Sequence, residues 1–276
     1  MKALLLLLRR IRAFIVRDLL LAVSYPLEMF LSVLWILIMV TTLFFIAQLF
    51  PRFAPTEYVG WRDPFLSWVT GMALLNYFMT GFSSLANAIR SEQMQGTLES
   101  VLLTPINVPT IILATSSWSF VQTTFYSVFY FFFAWLFFNA KYPGSILLTL
   151  VFLVLTTGVL ACIGILSASF AMVFKRGDPF AIILGTGSGL FSGVLFPTQL
   201  INKFAGDTAG FIPKLFPTTH GLDAIRRVLL ENQGFAQVQT QFFILLSLLV
   251  ILLPFALWIF GHAIRKAKRE GSLIQF

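Results

Sequence analysis

Charge is scarce in this 276-residue chain: only 11% of its residues are Asp, Glu, Lys or Arg, against 58% hydrophobic, and the mean hydropathy is +0.88. A soluble domain carries about 25% charged residues. The 19 Lys and Arg and 11 Asp and Glu found here cannot cover such a surface. The chain is therefore expected to sit in a bilayer. Alternating polarity is missing too: the apolar residues come in long unbroken runs, which excludes a transmembrane β-barrel and leaves helices. A single cysteine, Cys162, rules out an intramolecular disulfide, and its apolar setting marks it as a packing residue. No Gly-Lys pair occurs anywhere, so no Walker-type nucleotide site is present, although Gly185-Thr186-Gly187-Ser188-Gly189 superficially resembles a phosphate loop. His220 and His262 stand apart, without an HExxH motif, a cysteine cluster or a GxSxG elbow. The expectation is a chain with no catalytic residue, no metal and no cofactor of its own.

Against a crossing length of about 20 residues, the charge-free intervals give six spans. They are expected at about Met29 to Leu49, Phe65 to Ile89, Thr110 to Phe138, Ser145 to Val173, Asp178-Pro179 to Leu200, and Phe242 to Phe260. Asp178-Pro179 reads as an N-cap followed by proline at the first helical position. The spans lack ionisable side chains, which argues against a proton relay or an ion-coupled carrier. Asn76 in the second span and Gln122 in the third are the polar residues that could line a pathway, with interhelical hydrogen bonding as the competing role.

Placing the N-terminus inside puts 12 of the 19 basic residues on the cytoplasmic face, from Lys2, Arg9, Arg10, Arg12 and Arg17 to Arg265, Lys266, Lys268 and Arg269. Both termini are thus expected in the cytoplasm, in the inner or plasma membrane. The net charge of +8 is explained by topology and anionic lipid, not by nucleic acid. The apolar run after Met1 is too short for a cleaved signal peptide, so the N-terminus is expected to be retained. The basic arc of residues 2 to 24 suits an interfacial helix, or a plain topogenic flank.

The expected organisation is one all-α membrane domain over 1–276. It comprises an interfacial helix at 1–26, spans one to five at 27–200, an external helical segment at 201–241, span six at 242–262 and a cytoplasmic tail at 263–276. The external segment is long for a loop. Its proline-delimited apolar pieces suggest short re-entrant helices, with Arg226 and Arg227 either attracting anionic groups or simply solvated. Gly185, Gly189 and Gly193 recur every four residues and predict a stripe for close helix packing, expected within one subunit, with the second span as the better candidate for a pathway and a dimer seam.

The first cytoplasmic connection runs Arg90-Ser91-Glu92-Gln93-Met94-Gln95-Gly96-Thr97-Leu98-Glu99 and on through Leu102, Leu103, Thr104 and Pro105. Met94, Leu98, Val101 and Leu102 share one helical face and Glu92 and Glu99 another, an arrangement suited to docking a protein. This run resembles the cytoplasmic segment of permease subunits of type-two ABC exporters, which carry drugs, lipo-oligosaccharides or polysaccharides. Phe216-Pro217-Thr218-Thr219-His220, followed by Arg226 and Arg227, is similar to that family's external region.

The resemblance implies a coupling helix that seats a separate ATPase subunit through Glu92, Gln93, Gly96, Thr97, Leu98, Glu99 and Leu102. It also implies two ATPase copies holding ATP and Mg, and a second permease copy or close homologue. The function it implies is export of an amphipathic or lipid-linked substrate by alternating access. A membrane scaffold that recruits a soluble partner without transport shares the docking helix and stays open as the alternative.

Overall fold

In a computed structural model, residues 2–53, 63–94, 108–174, 179–198 and 211–269 are described, and every regular element among them is helical. The helices are α1 (Lys2–Ser24), α2 (Pro26–Phe53), α3 (Pro64–Met94), α4 (Val108–Phe138), α5 (Ile146–Phe174), α6 (Pro179–Phe191), α7 (Ile212–Leu215), α8 (Pro217–Leu229) and α9 (Phe235–Arg269). Among the described residues four segments are long and apolar enough to cross a membrane: Pro26–Leu49, Ser116–Phe138, Ile146–Phe170 and Phe235–Lys266.

Proline sets several of the boundaries. Pro26, Pro64, Pro179 and Pro217 each open a helix, where a missing N–H costs nothing and the fixed φ is already helical. Pro26 also disfavours helix at Tyr25, and this separates α1 from α2. Two ends are closed by asparagine in the left-handed region, a conformation its short polar side chain tolerates. Asn139 and Asn232 both have φ of 54°, and the following residues donate back, Ala140 N–H to Ala134 O at 3.2 Å and Gln233 N–H to Arg227 O at 3.0 Å.

The most buried helix among the described residues is α3, and it contributes to three packed regions, one of them formed by its Leu85 and Ala86 with Cys162 and Ile165 of α5 and Ala256 and Phe260 of α9. On one side, Ile36, Val40 and Leu43 of α2 meet Phe65, Trp68, Val69 and Ala73 of α3 and Tyr130, Phe133 and Ala134 of α4. On the other, Leu74, Phe78 and Phe82 pack with Phe152 and Leu160 of α5, Leu222, Ile225 and Val228 of α8, and Val238 and Leu245 of α9. The outward faces carry exposed Phe30, Trp35, Phe45, Phe137, Phe243, Val250, Ile251 and Trp258. That is the surface expected where the solvent is lipid, because association of helices there is driven by packing and not by apolar burial.

Two glycines set the closest crossing. A Cβ on Gly81 would lie 2.7 Å from Leu160 Cβ, and one on Gly164 would run into the Gly81 carbonyl oxygen, so α3 and α5 approach backbone to backbone.

The fifth expected span needs correction. Its helix opens at Pro179 as predicted but ends at Phe191, and residues 192–196 bend instead of continuing to Leu200. Gly193 has φ of 87°, a conformation that L side chains rarely adopt, and it lies in the bend rather than on a helical stripe with Gly185 and Gly189. Those two glycines do face α3 of the same chain, Gly185 against Met79 and Gly189 more loosely against Leu75. At the other extreme, α9 begins seven residues before the expected sixth span and absorbs Pro254 without a break.

Candidate functional site

The junction between α1 and α2 opens onto a groove of about 790 Å³ bounded by α2, α3 and α4. One stripe of α2 supplies its wall: Glu28, Leu31, Ser32 and Trp35 follow one another at helical spacing, and Tyr126 and Tyr130 of α4 stand four residues apart opposite them. Asn76 of α3 lies between the two walls. The lining therefore combines apolar and aromatic surface with a few convergent polar groups, the usual character of a site for an amphipathic molecule. Glu28 sits in the first turn of α2, where the helix macrodipole favours its negative charge.

Of the two sequence-predicted pathway residues, Asn76 lines the groove and Gln122 does not. Asn76 Nδ2 donates to Met72 O of its own helix at 3.1 Å. Gln122 stands behind the wall, with Nε2 donating to the Tyr126 hydroxyl at 3.1 Å, so it orients a lining residue from one turn away. Further along the same interface the side chains of α3 and α4 are paired with each other. Tyr77 donates to Thr124 Oγ1 at 2.9 Å, Thr80 and Thr123 hydroxyls meet at 2.7 Å, and Ser127 donates to Ala73 O at 3.0 Å. These bonds hold the two walls in register and leave Asn76 as the polar group that faces the space.

A second polar region lies at the opposite end of α3, where α8, α9 and the bend after α6 converge around a cavity of about 500 Å³. Its central group is Arg226. The guanidinium is buried, with Nη1 donating to Gly193 O at 2.7 Å and Nη2 to Ser67 O at 2.6 Å, so one side chain ties α8 to the bend and to the first turn of α3. Burial pushes its pKa down to about 9, and Asp223 opposes the shift; the group stays cationic at neutral pH. Gly71 gives it room, since a Cβ there would meet Nη2 at 2.9 Å. Trp68 Nε1 donates to Leu195 O at 2.9 Å and fixes the same bend from a second point.

Arg226 is thus not a solvated charge on an exposed helix. Arg227 lies on the open side of the same helix, where its Nε contacts Asp223 at 3.0 Å with both side chains about 40% accessible. Asp223 also accepts from Gln241 Nε2 of α9 at 2.8 Å.

A family model described as ABC-2 type transporter matches residues 9–230. That stretch holds the groove, the α3–α4 seam and Arg226. The chain belongs to the ABC-2 type transporter family. No curated protein matches it. As an ABC-2 membrane domain it is a multi-pass transporter component, in keeping with its four membrane-crossing candidates.

The residues assigned to ATPase docking fall at and beyond the end of α3. Glu92 and Gln93 belong to its last turn, since the helix runs on to Met94, while Gly96, Thr97, Leu98, Glu99 and Leu102 lie outside the described residues.

Sequence reasoning missed Glu28, Trp35, Tyr126 and Tyr130 as groove residues, and it left Arg226 undecided. Glu28 had a signal available: a carboxylate at the very start of an apolar helix is costly near a bilayer and needs a reason. The tyrosines carried no such mark, because an aromatic at helical spacing is equally a core residue.

Proposed function

We propose that this ABC-2 chain is the permease subunit of an ATP-driven exporter for an amphipathic or lipid-linked substrate, paired with a second permease and two ATPase subunits. The groove between α2, α3 and α4 carries the reading. It opens at the α1–α2 junction, the end that the distribution of Lys and Arg assigns to the cytoplasmic leaflet, with six crossings and both termini inside. A substrate entering there meets apolar and aromatic surface for its tail and Glu28, Asn76 and two tyrosine hydroxyls for its polar part.

The chain itself has no nucleotide motif, so ATP and Mg belong to the partner, and the chain is not an enzyme. The partner docks on Glu92, Gln93, Gly96, Thr97, Leu98, Glu99 and Leu102. Because α3 runs unbroken from Pro64 to Met94, force applied next to its last turn acts on Asn76 and on the contact between Ser67 and Arg226 along one rigid rod.

The test reconstitutes the chain with a partner ABC ATPase subunit and reads ATP hydrolysis against a panel of amphipathic and lipid-linked compounds. A stimulating compound is expected, and Asn76→Leu should reduce that stimulation about tenfold, the worth of roughly one buried hydrogen bond, with basal hydrolysis retained. Stimulation unchanged in Asn76→Leu would remove the groove from the pathway.

A further inference from the structure

Charge is almost absent from the three helices that bound the groove at the α1–α2 junction. Over residues 26–51, 64–89 and 108–138, nearly the whole of α2, α3 and α4, the sequence holds one Asp, Glu, Lys or Arg, and it is Glu28. A charged side chain on an apolar membrane helix is costly and is kept where it has a charge or a ligand to meet. Arg17, the nearest basic residue along the chain, already holds Asp18 at 2.8 Å and lies over the Phe14 ring. Among the described residues Glu28 enters no ion pair. Its side chain is exposed and lines the groove.

The surroundings of this carboxylate are aromatic. Tyr25 precedes it by three residues at the bend between α1 and α2, and Trp35 follows it by seven, two turns along the same face of α2. Tyr126 and Tyr130 of α4 form the facing wall. Tyr25 is 65% and Trp35 60% exposed, so much of each ring is open to an occupant. The faces of such rings attract a cation within about 6 Å, Trp most strongly. A carboxylate and open aromatic rings along one groove are complementary to positive charge on an apolar body, whereas an anionic group would be repelled by Glu28.

On the reading of this groove as the substrate path, we propose that its occupant is an amphipathic cation. A quaternary or protonated amine sits at Glu28 and Tyr25, and the apolar body lies along Leu31, Trp35 and the two tyrosines. The size agrees, since about 790 Å³ falls within the range of roughly 300–1,000 Å³ typical of sites for drug-sized molecules. A neutral compound fills the apolar part without using the carboxylate, and an anionic one is disfavoured by it.

Equilibrium dialysis of the full chain in dodecyl maltoside, with micelles alone as the blank, compares tetraphenylphosphonium with tetraphenylborate, two probes of the same shape and opposite charge. The cation is expected to bind at one per chain and about tenfold more tightly than the anion, because attraction to Glu28 becomes repulsion. Glu28→Gln should weaken cation binding about fivefold, the worth of an exposed ion pair, and Trp35→Leu about threefold. Glu28→Lys should turn the preference toward the borate. Glu231→Gln, which removes a carboxylate in the turn after α8, should change neither affinity. Glu28 and Trp35 are both exposed, so their variants leave the packed core intact. Equal binding of the two probes, binding of neither, or a cation preference untouched by Glu28→Gln would overturn the proposal. Because dialysis needs no ATPase, the two claims fail separately. A Glu28-dependent cation preference without stimulated ATP hydrolysis would keep this site and count against export, and hydrolysis stimulated through Asn76 by neutral or anionic compounds alone would do the reverse.

Discussion

Arg226 holds three parts of the chain at once, and the cost of removing it can be argued from its partners. Its two bonds satisfy the carbonyls of Ser67 and Gly193, both buried residues. An unpaired buried acceptor costs about 1–3 kcal/mol, while deleting a buried cation recovers part of its desolvation penalty. We expect Arg226→Met to lower stability by about 2 kcal/mol, measured as the thermal midpoint of the purified chain in detergent. Arg226→Lys should fall between, because a single ammonium cannot span two carbonyls as a guanidinium fork does. A lysine variant as unstable as the methionine variant would mean that the fork geometry, and not the charge, supplies the whole effect. Little of this was legible in the sequence. Arg226 and Arg227 are adjacent and chemically identical there, and only the rotation of α8 against α3 buries one and leaves the other in a half-exposed pair with Asp223. Asn76 and Gln122 look alike in the sequence, as amides within spans, and only the fold sets one on the groove and the other against Tyr126.

At the scale of elements, glycine spacing found a packing face, Gly185 and Gly189 toward α3 of the same chain, but not the backbone-to-backbone crossing. The repeat at Gly185, Gly189 and Gly193 drew notice because it is regular, yet an added Cβ at Gly189 would meet only Leu75 Cδ1 at 3.9 Å, an ordinary distance. The tight crossing uses Gly81 and Gly164, 83 positions apart on two different helices, and no one-dimensional pattern reveals such a pair. We therefore expect Gly164→Ala to cost about 3 kcal/mol, since backbone cannot yield as a flexible side chain does, and Gly189→Ala to stay within about 0.5 kcal/mol. Thermal unfolding of both variants in the same detergent checks the contrast; equal losses would contradict the crossing. Gly193→Ala tests the bend separately. Its φ of 87° predicts strain of about 1 kcal/mol for any L residue, whatever the space around it. The start at Pro179 was legible because proline marks it physically, whereas α9 opens at Phe235, with no proline to signal it. The end of α6 was misread because the residues after Phe191 remain apolar, and hydropathy does not distinguish a bent apolar segment from a helical one.

For the whole molecule, the all-helical membrane architecture followed from charge scarcity alone, since 30 ionisable residues cannot clothe a soluble protein of 276. The central helix did not follow. α3 is less apolar than the other long helices around it because its Thr, Tyr and Trp side chains bond to α4 and the bend instead of facing lipid, which gives it the polar appearance of a peripheral element and the burial of a core one. That position makes it the link between the proposed docking segment at one end and the Arg226 contact at the other. The most direct test of this account is ATP hydrolysis by the proposed ATPase partner reconstituted with the chain in vesicles, compared across Gly96→Pro, Glu99→Lys and the unaltered chain. The account predicts that the ATPase associates with the unaltered chain, that a transported amphipathic compound raises its turnover, and that both substitutions abolish that response while the helices stay folded. An ATPase that fails to associate, together with a rate indifferent to Gly96 and Glu99, would contradict it.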